Sequence, residues 1–191
     1  ANFNTAVGAC SLFANTTGAN NTAVGYQALK ANTGGGCNVA MGNLTMADNT
    51  TGSGNTALGR AALNENTTGS CLVGVGYGAL ESNTSGNWSV GVGRDALTTN
   101  TSGCNNVAMG GSSLCSLAAN TTSLRNVAVG MVAMRHNTTG ACNTASGYGA
   151  LYCQTTAVRN TAFGSYALHC TTGGCNTAVG INAAYTNATG V

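Results

Sequence analysis

The chain repeats itself every 17 residues, and that period constrains it more than any motif. A glycine closes each Asn-Thr-Ala-Val-Gly-like string at Gly8, Gly25, Gly42, Gly59, Gly76, Gly93, Gly110, Gly130, Gly147, Gly164 and Gly180. Six successive spacings are 17, followed by 20, 17, 17 and 16. The long step marks an insertion near Ser116 to Ala119 and the short one a deletion near Thr171 to Gly174. A unit this short cannot bury its own apolar residues, so neighbouring units must stack. The expected fold is all-β: one repeat domain, 1–191, forming a parallel β-solenoid or β-roll of about eleven 17-residue coils. At 4.8 Å per strand the rod is on the order of 50 Å long.

Each column of the repeat N-T-A-V-G-Y-x-A-L-x-x-N-T-T-G-x-x carries a physical expectation. The residue before the anchor glycine is apolar in ten coils (Val7, Val24, Met41, Leu58, Val75, Val92, Met109, Val129, Phe163, Val179), with Ser146 the exception, and reads as core. Four residues after the anchor, Leu12, Leu29, Met46, Leu63, Leu80, Leu97, Leu114, Met134, Leu151, Leu168 and Ala184 read as a second core column. Two before it, only Ala or Gly occurs, as where backbones approach closely or a neighbouring chain packs. Three before it, Thr or Val gives the β-branched signature of a strand. Four before it, Asn recurs in nine of eleven coils, interrupted by Leu72 and Ser89, and predicts a stacked amide ladder. The Tyr-x-Ala-Leu segment suits either a short strand with an irregular turn or one helical turn.

Strings such as Asn21-Thr22-Ala23-Val24-Gly25-Tyr26-Gln27-Ala28-Leu29 and Asn176-Thr177-Ala178-Val179-Gly180 resemble the repeats of bacteriophage and viral tail-fibre-like proteins. They are more distantly similar to the head repeats of trimeric autotransporter adhesins. That resemblance implies left-handed parallel β-rolls packed as a homotrimer, although the adhesin coil is the shorter one. A head-to-tail polymer is the other self-partnership expected. From Gly180 through the C-terminus to Gly8 of a following chain is 11 + 8 = 19 residues, close to the period, and no polar cap interrupts the repeat at either end. Such heterologous contacts build open filaments.

Only ten of 191 residues are Asp, Glu, Lys or Arg, against roughly a quarter in an average globular protein. Asn, Thr, Ser and Gly must wet the surface instead. A net charge of +2 from scattered bases gives no footprint for nucleic acid, and no apolar run approaches the roughly 18 residues of a membrane span. Asn-x-Ser/Thr acceptors begin at Asn15, Asn20, Asn43, Asn49, Asn66, Asn83, Asn87, Asn100, Asn120, Asn137 and Asn187. Seven lie in the N-T-T/S loop column, where covalent glycans would line one edge of the rod. The same tetrapeptide is equally good turn chemistry.

Nine cysteines point to an oxidising, extracellular compartment. Cys104/Cys115, Cys142/Cys153 and Cys170/Cys175 are the expected disulfides, with Cys153/Cys170, stacked one coil apart, as the competitor. Cys10, Cys37 and Cys71 remain as intermolecular or free thiols. There is no C-x-x-C zinc spacing, calcium repeat or P-loop, so neither metal nor cofactor is expected. The acids Asp48, Glu65, Glu81 and Asp95 and the histidines His136 and His169 are too few and dispersed to predict a catalytic centre. Arg60 and Arg94 share a column, as do Tyr26, Tyr77 and Tyr148, which fits anion or glycan contact as well as plain surface or core-edge packing. These features together lead to a non-enzymatic structural subunit of an extracellular filament. A shaft or head segment of a host-binding adhesin or tail fibre is the alternative, and an ice-binding solenoid a minor one.

Overall fold

A computed structural model describes residues 3–111 and 122–187. Eleven three-residue strands form one parallel sheet: β1 (Thr5–Val7), β2 (Thr22–Val24), β3 (Val39–Met41), β4 (Thr56–Leu58), β5 (Val73–Val75), β6 (Val90–Val92), β7 (Val107–Met109), β8 (Val127–Val129), β9 (Thr144–Ser146), β10 (Thr161–Phe163) and β12 (Thr177–Val179). Each pairs with the next in register, Ala6 on Ala23 and Ala23 on Ala40. Neither irregular step disturbs this: Met109 still pairs with Val129 across the insertion, and Phe163 with Val179 across the deletion. Two short strands, β11 (Cys170–Thr171) and β13 (Thr186–Asn187), pair separately beside the last coils. The architecture is the β-solenoid that the period predicts.

The Tyr-x-Ala-Leu segment is neither strand nor helix in the regular coils. It is a turn in which alternate residues are left-handed, Gln27 at φ 56° and Leu29 at 52°, Ala61 at 56° and Leu63 at 53°. Backbone bonds to the adjacent coils hold it, Gln27 N–H donating to Ala9 and Leu29 N–H to Thr45. The anchor glycines close the strand at φ near 130°, for instance 126° at Gly59, a region reserved for glycine. A Cβ at Gly59 would also stand 2.6 Å from the carbonyl oxygen of Gly76 in the next coil.

The core is narrower than the column analysis predicts. The Leu/Met column after the anchor is inside: Leu29, Met46, Leu63, Leu80, Leu97, Met134, Leu151 and Leu168 are all buried. What it packs against is the Ala/Gly column of the strands, Ala23, Ala40, Ala57, Ala108, Ala128, Ala145 and Ala162 being fully enclosed. The Val/Met column before the anchor, expected in the core, faces outward: Val7, Met41, Met109, Val129, Phe163 and Val179 are exposed and Val24, Leu58, Val75 and Val92 half-exposed. Strand side chains alternate between faces, so an inward Ala sends the residues on either side of it outward. The strand position facing the interior takes only a small side chain, because the Leu column and a second Ala column, Ala28, Ala62, Ala96, Ala133, Ala150 and Ala167, fill the space opposite.

Two asparagine ladders line the interior. In the first, four residues before the anchor, the side-chain oxygen accepts from the next coil's backbone: Asn21 N–H to Asn4 Oδ1 at 2.8 Å, Asn38 N–H to Asn21 Oδ1 at 3.0 Å. Its Nδ2 donates to a loop carbonyl, Asn21 to Gly35 at 2.9 Å. Leu72 interrupts the column without breaking the chain of bonds on one side, because its backbone N–H still donates to Asn55 Oδ1. The second ladder is amide to amide, running Asn15, Asn32, Asn49, Asn66, Asn83 and Asn100 with spacings of 2.8 to 3.0 Å.

Candidate functional site

The second ladder overturns most of the expected glycosylation column. Asn49, Asn66, Asn83, Asn100 and Asn137 are buried, and their Nδ2 groups donate to the loop glycine carbonyl three residues on. An amide enclosed and bonded in this way cannot carry a glycan in the folded rod. Asn15, half-buried, makes the same bond to Gly18 and accepts from Asn32. Asn87 accepts from Ser70 N–H and donates to Ser85. Only Asn20 and Asn43 stand exposed among the described acceptors. Asn120 and the side chain of Asn187 lie outside the described residues.

The cysteines also pair differently. A disulfide joins Cys153 to Cys170, 17 residues apart with Cα atoms at 4.8 Å. The Cys142/Cys153 and Cys170/Cys175 pairings therefore do not form, and Cys142 and Cys175 carry free thiols, as do Cys10, Cys37, Cys71 and Cys104. Stacking is the reason: equal positions in consecutive coils are one strand spacing apart, within disulfide reach, whereas eleven residues along a coil lead from the bend before a strand to the turn beyond it. Cys115, the expected partner of Cys104, lies outside the described residues.

That disulfide sits in a cluster of side chains from successive coils. His136, Cys153 and Cys170 occupy one column, and Arg135, Tyr152 and His169 the adjacent one, each step being 17 residues. The His169 imidazole lies between two rings, stacked on Tyr152 at 5.0 Å and 5° and on Tyr185 at 4.7 Å and 7°. Tyr166 packs edge-on against it at 5.2 Å. His136 meets the other side of Tyr152 edge-on at 4.8 Å. Held this way, His169 Nδ1 stands 3.3 Å from Cys170 Sγ and 3.9 Å from Cys153 Sγ. Burial pushes the imidazole below the usual histidine range. The sequence signal was present, His-Cys at 169–170 one period after Cys153, but it falls in no linear spacing such as C-x-x-C because its groups come from successive coils.

Compared with known proteins, the chain matches no family model, no curated protein and no solved structure.

Two further groups occupy the outside. Tyr77 is held between Arg60 and Arg94, whose guanidinium carbons stand 5.3 and 5.7 Å from its ring centre, and Arg60 donates to its hydroxyl at 2.9 Å. Arg94 also meets Asp95 at 3.2 Å. Tyr26, Tyr77 and Tyr148 are exposed and do not pack at the core edge. The acids are less dispersed than the sequence analysis supposed: Asp48 and Glu65 are one period apart. Glu81 lies close enough to Glu65 and Asp95 that burial, and then their charges, push its carboxyl above the usual range, with Arg60 opposing. Among the described residues there is no pocket and no helix long and apolar enough to cross a membrane.

Proposed function

We propose that the chain is a structural subunit of an extracellular filament, a rod that assembles with copies of itself. The observation that carries this reading is the outer face of the sheet, where Val7, Val24, Met41, Leu58, Val75, Val92, Met109, Val129, Phe163 and Val179 form one strip flanked by the Thr/Val column. No charged residue interrupts it. Eleven strands at 4.8 Å, with two outward residues per strand, make a strip of roughly 500 Å². Its exposed apolar column, interrupted at Ser146 and bordered by Thr in six strands, is the kind of surface that marks an interaction site. A second copy fits it best, because only a surface with the same strand spacing matches it over its whole length; sheets pack face to face at about 10 Å.

Axial growth fits as well. Each bond between coils, side-chain amide to backbone or backbone to backbone, is one that a further identical coil can continue, so head-to-tail stacking needs no new chemistry. The Cys153–Cys170 disulfide is compatible with an oxidising, extracellular setting. Among the described acceptors, any N-linked glycan would be confined mainly to Asn20 and Asn43. A host-binding shaft or adhesin segment is the second reading, favoured by Trp88, 61% exposed, and the Arg60–Tyr77–Arg94 group, both suited to sugar rings.

The test is light scattering and electron microscopy of the full chain beside a Met41→Lys/Met109→Lys variant. Multimers or filaments in the wild type, and single rods with an unchanged circular dichroism spectrum in the variant, support assembly through the strip. A wild type that stays monomeric and soluble at high concentration refutes it.

A further inference from the structure

We propose that Cys153, His169 and Cys170 form a redox-gated site for a thiophilic divalent cation of the zinc class, closed while the disulfide stands and opened by its reduction. The three donors already converge, all lying within 4.8 Å of one another. Zinc takes sulfur at about 2.3 Å and imidazole nitrogen at about 2.0 Å, so a tetrahedral site places S and N roughly 3.6 Å apart. The two observed Sγ to Nδ1 distances, 3.3 and 3.9 Å, bracket that value. The sulfurs must part to about 3.8 Å in such a site, which side-chain rotation allows between Cα atoms 4.8 Å apart.

The imidazole is arranged for this use. Stacked between Tyr152 and Tyr185, it cannot swing away, and its Nδ1 faces the sulfurs. Two sulfurs and one nitrogen leave a fourth position for water, the pattern of an open zinc site. The opening step is thiol exchange: two small thiols reduce the protein disulfide, giving two protein thiols and one small-molecule disulfide. Metal binding then releases the two thiol protons and forms two metal–sulfur bonds. A rod edge that becomes a metal ligand only under reducing conditions would add a cation between coils and tie the last turns of the solenoid together.

The experiment uses the full chain with Co²⁺ as the spectroscopic probe and Zn²⁺ as competitor, before and after phosphine reduction. The expected result is a thiolate-to-cobalt charge-transfer band only after reduction, displaced by one equivalent of zinc. His169→Gln and Cys170→Ser should weaken binding at least about tenfold, with circular dichroism unchanged, while Cys37→Ser and Cys142→Ser leave it intact. Because six other thiols are free among the described residues, X-ray absorption of the zinc-loaded wild type gives an independent reading: a two-sulfur, one-nitrogen shell supports the site. No band after reduction, a band that survives in His169→Gln and Cys170→Ser, or an all-sulfur shell overturns it.

Discussion

Asn66→Ala isolates what the buried amide ladder contributes. Asn66 Nδ2 donates to Asn49 Oδ1 at 2.8 Å and to Gly69 O at 3.0 Å, and its Oδ1 accepts from Asn83 Nδ2 at 2.8 Å. After truncation Asn83 keeps its bond to Gly86, and Gly69 O keeps the one from Asn55. The group left stranded is Asn49 Oδ1, in a fully buried position. One orphaned buried acceptor costs about 1–3 kcal/mol, and the small void left by the amide adds roughly 1 kcal/mol, so the expected loss is about 2–4 kcal/mol. Asn66→Asp should cost more, since a carboxylate oxygen would face two acceptors in place of a donor. The assay is urea unfolding by circular dichroism with Thr68→Ala, an exposed neighbour, as the control expected to lie within about 0.5 kcal/mol of wild type. Coupling between coils is nearest-neighbour, so hydrogen exchange should quicken in the loops around Asn49 and Asn83 and not at Asn137. A loss below about 1 kcal/mol, or faster exchange spread evenly along the rod, would refute the claim that the ladder stabilises this fold locally.

The inward and outward columns should respond in opposite ways. Leu63→Ala, in the core, is expected to cost about 2–5 kcal/mol, whereas Leu58→Thr on the outer face should change the isolated rod by under about 1 kcal/mol and weaken self-association instead; unfolding and light scattering on the same samples separate the two. For Glu81 the fold raises the carboxyl pKa above its ordinary value near 4.5. The fold therefore favours its protonated form, and the stability it contributes is present below the unfolded-chain value and lost as pH rises through the folded one. Glu81→Gln should accordingly melt higher than wild type at neutral pH, with the difference shrinking toward zero as pH falls below 4.5; a difference that grows on acidification would reverse the sign.

The sequence by itself determined the coil number, the parallel in-register stacking and the burial of the Leu column. These follow from a 17-residue period and from the inability of one coil to bury its own side chains. It could not decide which of two adjacent apolar columns, Ala57 or Leu58, faces the interior, because each is compatible with a strand and only the width of the closed coil selects the smaller one. Nor could it distinguish a surface Asn-Thr-Thr-Gly turn from an internal ladder, since the same residues serve both and the choice depends on which way Asn66 points once Asn49 and Asn83 stack on it. The cluster at His169 was hidden for the same kind of reason: its donors come from successive coils, 16 or 17 residues apart, and only the 4.8 Å stacking of those coils turns a separation along the chain into a contact in space.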